Sequence, residues 1–244
     1  GTYTPNRSVF NMQVIASASI YHAFVMKPKI KILGGFPSTG NPNLTHRNWN
    51  TYKSILSGDL NNNGSIRSSH VVILAGNSTI GTSQINGFTI TKGNASGNYW
   101  FYVNGLSIYS GYGAGIYLTN ASLTIENCTF SENTADSWGG GIYNNNSTST
   151  ISNSLFFGNT AQRGGGMYIH SSSNSILNNC RFEENISSSD GGGLYNNESS
   201  PELNTCVFSN NTANNGGGLF NYESSPELNT CVFFQNTVRE SGGG

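Results

Sequence analysis

The sequence has 244 residues, of which 9% are charged and 11% aromatic, and its formal net charge is -1. That balance excludes a basic nucleic-acid surface and a polybasic or acidic interaction tail. No apolar run approaches the ~20 residues of a membrane-spanning helix, and no signal peptide is visible.

The first hundred residues are irregular. The chain opens abruptly on Gly1-Thr2-Tyr3 and stops on a Gly run, which reads as a mature or trimmed piece of something longer. Lys29–Leu33 alternates and ends in Gly34-Gly35-Phe36. A long polar excursion follows, with Arg47 and Trp49, and then Ser54-Ile55-Leu56-Ser57-Gly58-Asp59. Asp59 sits in a Leu-Ser-Gly-Asp turn and reads as a turn former rather than a base. His70–Leu74 and Gln84–Thr91 look like strands, and residues 85–90 resemble a degenerate copy of what comes later. Residues 97–112, rich in Tyr, Gly and Asn with Trp100, read as a loop protruding from the main body. Residues 1–69 are expected to form irregular N-terminal coils and a cap, and residues 70–244 a regular array.

From Gly113 onward the chain repeats. Gly runs fall at 113–115 (Gly-Ala-Gly), 139–141, 164–166, 191–193, 216–218 and 242–244, a period of 25 to 27 residues. A fixed period in that range indicates a stacked array. In register, one apolar column is Ile116, Ile142, Met167, Leu194, Leu219, and a second is Ile125, Ile151, Leu177, Leu203, Leu228. Further columns are Cys128, Ser154, Cys180, Cys206, Cys231, then Phe130, Phe156, Phe182, Phe208, Phe233, then Asn133, Asn159, Asn185, Asn211, Asn236. Helical spacing is absent and Gly density opposes helices, while the apolar residues come in short bursts of period 2. Three bursts per repeat suit one coil of an all-β, right-handed parallel β-helix whose coils climb ~4.8 Å. The Leu and Phe columns then fill the bore, and the Asn column forms an amide ladder that satisfies buried backbone groups. The Gly runs mark a corner that needs positive φ or close approach. A leucine-rich repeat lacks its frame here, and a propeller blade needs ~40 residues.

These residues resemble known families. Gly-Gly-Gly-Ile/Leu-Tyr paired with Phe-x-x-Asn is similar to the repeats of the chlamydial polymorphic outer membrane proteins. Gly34–Phe36, Arg47–Trp49, Ile55–Asp59 and Gly87–Ile90 look like motifs of Bacteroidota surface β-helix proteins. The resemblance covers nearly the whole chain and implies export, a secreted or cell-surface bacterial location and an adhesin-like role. The partner it implies is a host or neighbouring-cell surface, whether glycan or protein.

Parallel β-helices also host polysaccharide lyases and glycosidases, so a carbohydrate-active β-helix, whether lyase, glycosidase or sugar-binding module, stands as the alternative to a non-catalytic stalk. Glycoside hydrolysis needs two carboxylates at a defined separation. Glu202 and Glu227 share one column, and Glu198 and Glu223 another, ~5 Å apart in adjacent coils. They read as copies of a duplicated solvent-facing position, so no catalytic residue is assigned. His22, His46, His70 and His170 are scattered and Asp is scarce, so neither a metal site nor a cofactor is expected. By period 2 the column Tyr117, Tyr143, Tyr168, Tyr195, with Phe220, points outward. There it either stacks on itself or faces a ligand such as a sugar ring. Cys128, Cys180, Cys206 and Cys231 are expected to be buried free thiols, because Ser154 separates the first by two coils and parallel Cβ vectors disfavour a bridge between the others. The C-terminal Gly run opens an unfinished coil, which further coils or a partner should cover.

Overall fold

Left-handed residues at the corners of each repeat turn the chain, and they explain the shape. The computed structural model describes residues 2–3, 22–76 and 83–241. In one coil the left-handed positions are Asn120, Asn127, Glu132 and Gly139, with φ of 50°, 54°, 55° and 67°. In the next they are Asn146, Asn153, Gly158 and Gly164. Gly and Asn accept this conformation at little cost, so one residue makes most corners, with the pair Ser171 and Ser172 an exception, and the segments between remain extended.

From Val72 onward each coil contributes one strand to each of four parallel sheets. The first sheet runs from Phe24–Val25 through Val72–Ala75, Ile116–Thr119 and Ile142–Asn145 to Leu219–Tyr222. The second runs from Lys31–Leu33 through Ser83–Asn86 and Leu123–Glu126 to Glu227–Asn229. The third carries the Phe column and includes Ser54–Ser57, Phe88–Thr91, Thr129–Ser131 and Val232–Phe234. The fourth runs from Asn94–Ala95 through Thr134–Ala135 to Thr237–Ser241. Only three strands per coil are expected from the apolar bursts. The fourth was hidden because it is polar and turns only a small residue inward, such as the buried Ala95, Ala135 and Ala161.

Registers are strict in the first three sheets, where Ile116 pairs with Ile142, Ile125 with Ile151 and Phe130 with Phe156, while the fourth sheet carries register shifts such as that between Ala161 and Arg163. The bore is therefore built of identical layers. Phe130, Phe156, Phe182, Phe208 and Phe233 stack face to face, with centroid separations of 4.8, 4.5, 4.7 and 4.7 Å. Each fully buried Phe contributes roughly 1.5–3 kcal/mol of transfer free energy before its packing is counted. Beside it, the Nδ2 of Asn159 donates to Asn185 Oδ1 at 3.0 Å and to the Phe130 carbonyl at 2.9 Å, and the pattern repeats along the ladder. Two jobs fall to the Gly runs. The first glycine takes positive φ, as at Gly164 (+64°). The third packs so closely that a Cβ on Gly141 would lie 2.4 Å from the Gly166 carbonyl oxygen.

The sheets do not break at residue 70. Phe24–Val25 pairs with Val72–Ala75, Lys31–Leu33 with Ser83–Asn86, and Ser54–Ser57 with Phe88–Thr91. An earlier three-strand coil thus lies under the regular ones, interrupted by the excursion of residues 34–53. Thr2–Tyr3 adds a strand below it. Residues 97–112, expected as a protruding loop, have internal structure. They hold an antiparallel hairpin, Trp100–Val103 with Leu106–Tyr109. The alternation Trp-Phe-Tyr-Val explains it: Phe101, Val103 and Ile108 are buried, while Trp100 and Tyr102 face out. The final Gly run, 242–244, lies outside the described residues.

Candidate functional site

The tyrosine column leaves the bore outward but does not reach solvent. Tyr117, Tyr143, Tyr168 and Tyr195 are only 2%, 3%, 2% and 4% exposed, which corrects the ligand-facing expectation. A second layer covers them. The hairpin's Phe101 and Ile108 join His70 over Tyr117. The residue just before each Gly run covers the rest. Tyr112 lies 4.9 Å from Tyr143, Trp138 stacks on Tyr168 at 5.0 Å, and the Arg163 guanidinium sits 5.8 Å from the Tyr195 ring centre. Burial pushes the Tyr117, Tyr143 and Tyr168 hydroxyls well above the usual phenol range. The signal was present in the sequence as Tyr112, Trp138 and Arg163 at one register position.

The cysteine column is unbridged. Cys128, Cys180 and Cys206 are buried, but Cys231 is half-buried, because it belongs to the last described coil and has no layer above it. Burial pushes the Cys128 thiol up to about 11. A hydrogen bond with Cys206, together with burial, raises Cys180 well above the ordinary thiol value.

The carboxylate pairs lie on flat outer surface. Glu202 and Glu227 are in register, yet each accepts a hydrogen bond from an asparagine of its own strand, Asn204 at 2.8 Å and Asn229 at 3.1 Å. Glu198 and Glu223 are corner residues with φ of 50° and 48°. Asp59 accepts from the Gly64 N–H at 3.0 Å and pairs with Lys92 at 3.5 Å. Burial opposes its ionisation, but these partners outweigh that and hold its carboxyl below the usual range. Among the described residues no group of His, Cys, Asp or Glu is placed to hold a metal ion, and no helix is long and apolar enough to cross a membrane.

The motifs of the N-terminal excursion converge on one place. Gly34 packs on Gly87 so tightly that a Cβ would sit 2.4 Å from the Gly87 carbonyl oxygen. Arg47 clasps the junction: its Nε donates to the Gly34 carbonyl at 2.8 Å and its Nη2 to Asn86 Oδ1 at 2.8 Å. The guanidinium also lies 5.6 Å from the ring centres of both Phe36 and Trp49. This clasp fixes Trp49 as one wall of a groove of about 290 Å³. The groove follows the corner between the second and third sheets, along Asn127, Asn153 and Asn179. Thr89, Thr129 and Leu155 line its side, with Lys53 and Arg181 as its cations. Sequence reasoning placed the Arg-x-Trp motif correctly as a landmark but not as the wall of a groove. The partner surface comes from three coils distant in sequence.

Parallel sheets stacked coil on coil, with one left-handed residue per corner, define a right-handed parallel β-helix. A family model, the right handed beta helix region, matches residues 86–244, and the chain belongs to that family. The structure extends the stack upstream of the matched segment, to the coil that begins near Phe24. No curated protein matches the chain, and no solved structure does.

Proposed function

We propose that the chain is a non-catalytic β-helix rod, secreted or held at a bacterial cell surface, with an adhesin-like display role. One observation carries this reading. Both insertions, the excursion of residues 34–53 and the hairpin Trp100–Tyr109, leave coils that precede residue 113, while the later repeats follow one another with nearly fixed register. The two insertions thus gather at one end, on a rod whose repeated chemistry is spent on stacking. The resemblance to surface β-helix repeats supports the location and the adhesin-like role. A glycosidase would require a carboxylate pair facing a groove, and the groove at Trp49 has no carboxylate in its lining.

The test is retention without turnover. Beads coated with the purified chain should hold to polysaccharide- or cell-coated surfaces through repeated washing and release no soluble fragments. Steady release of shortened glycan would overturn the display reading. Failure to bind any such surface would overturn the adhesin-like role.

A further inference from the structure

The floor of the Trp49 groove is a column of identical groups. Asn127, Asn153 and Asn179 occupy one corner of successive coils, with φ of 54°, 50° and 51°. Their backbone N–H groups are already spent on the next coil, donating to the Ser152, Asn178 and Asn204 carbonyls at 3.1, 3.0 and 2.8 Å. A peptide therefore cannot enter by adding a strand here, and recognition must come from side chains. The Asn179 amide donates to Asn153 Oδ1 at 2.8 Å, which aligns these two carboxamides along the stack, while the Asn127 amide points to Asn86 Oδ1 at 3.5 Å. Each carboxamide carries two donors and two acceptor lone pairs, more than these contacts use.

A row of mixed donors and acceptors, repeating every ~4.8 Å, suits a chain of repeating units that are themselves both donors and acceptors. Hydroxyls have that property. Trp49 adds an apolar ring wall beside the row, held in place by Arg47 before any ligand arrives, which lowers the cost of ordering it. The lining contains no carboxylate, so a cationic ligand has nothing to meet. Two cations, with Arg181 paired to Glu183, are too few for a nucleic-acid backbone.

We propose that this groove binds a linear oligosaccharide lying along the stack axis, with one sugar ring against Trp49 and its hydroxyls on Asn127, Asn153 and Asn179. The inference rests on the display reading and gives its recognition end a ligand class. Lys53 and Arg181 line the groove, so neutral and uronate chains are both tested.

The experiment is isothermal titration of the intact chain with β-1,4-linked gluco-, xylo- and manno-hexaose and with hexagalacturonate. At least one should bind. Trp49→Ala should weaken that binding by about tenfold or more, the effect of losing an aromatic stacking partner. Asn153→Gly keeps the left-handed corner while deleting the amide, and should weaken binding by about threefold or more. If Trp49→Ala fails to fold, as judged by circular dichroism, Asn153→Gly decides alone. Tyr222→Ala, an exposed change outside the groove, serves as the control and should leave affinity unchanged. Absence of binding to every probe, or binding that the folded groove variants do not alter, would overturn the proposal and leave the display reading intact. Cleavage of a bound probe would instead contradict the display reading, with the groove judged by the same variants.

Discussion

Replacing Asn185 by Ala removes one rung of the buried amide ladder. Asn185 is fully buried. Its Nδ2 donates to the Phe156 carbonyl at 2.9 Å and to Asn211 Oδ1 at 2.9 Å. Its Oδ1 accepts from the Asn159 backbone N–H at 3.1 Å and from Asn159 Nδ2 at 3.0 Å. Asn211 Oδ1 keeps a second donor, the Asn185 backbone N–H at 3.0 Å. The Phe156 carbonyl, the Asn159 N–H and one Asn159 amide proton lose their partner in the ladder. The Phe156 carbonyl belongs to the strand paired in parallel with Arg181–Glu183 and keeps that pairing, so two buried donors are left unpaired; at about 1–3 kcal/mol each, the variant should lose about 2–6 kcal/mol. The matching change at Asn236, in the last described coil and only half-buried, should cost less than half as much, because water can replace the lost partners. Equilibrium urea denaturation followed by circular dichroism measures both. A loss below about 1 kcal/mol for Asn185→Ala, or equal losses at the two positions, would refute the claim that the ladder satisfies the bore.

Three further outcomes follow from named residues. Thr205 is β-branched yet sits at a left-handed corner (φ 54°) where earlier coils have Asn, so Thr205→Asn should raise stability by about 1 kcal/mol in the same urea assay; a destabilised variant would contradict the corner argument. Burial lowers the His70 pKa to about 4 from 6.5, with its Nδ1 3.1 Å from the Gly113 carbonyl. Because the folded value is depressed, the stabilisation is present above 6.5 and is lost as pH falls toward 4, so melting temperature should drop across that window. His70→Gln should flatten the drop, and an equally steep profile in the variant would assign it elsewhere. Thiol reagents should modify Cys231 first and reach Cys128, Cys180 and Cys206 only on unfolding; rapid labelling of Cys180 in the folded chain would contradict its burial.

The fold was legible because stacking converts a sequence period into columns. Ile125 above Ile151 and Phe130 above Phe156 needed only alignment of the repeats, and the structure pairs them in that register. Two features were not legible from the columns alone. The strands of the fourth sheet, such as Thr134–Ala135, bury one small side chain each and give no apolar burst. The tyrosine column was correctly directed away from the bore, but its cover comes from Tyr112 and Trp138, which period-2 reasoning treats as a separate segment. The groove was harder still. Trp49 and Asn153 lie about a hundred residues apart and meet only because Gly34 and Arg47 dock the excursion against Asn86 and Gly87.

Display without turnover is tested most directly by mass spectrometry of the same oligosaccharides after prolonged incubation with stoichiometric amounts of the chain. A parallel reaction uses the Glu202→Gln/Glu227→Gln double variant, which removes the in-register carboxylates of the second sheet. The account predicts that every oligosaccharide is recovered at full length from both reactions. Shortened or unsaturated products made by the unmodified chain, and absent with the double variant, would contradict it.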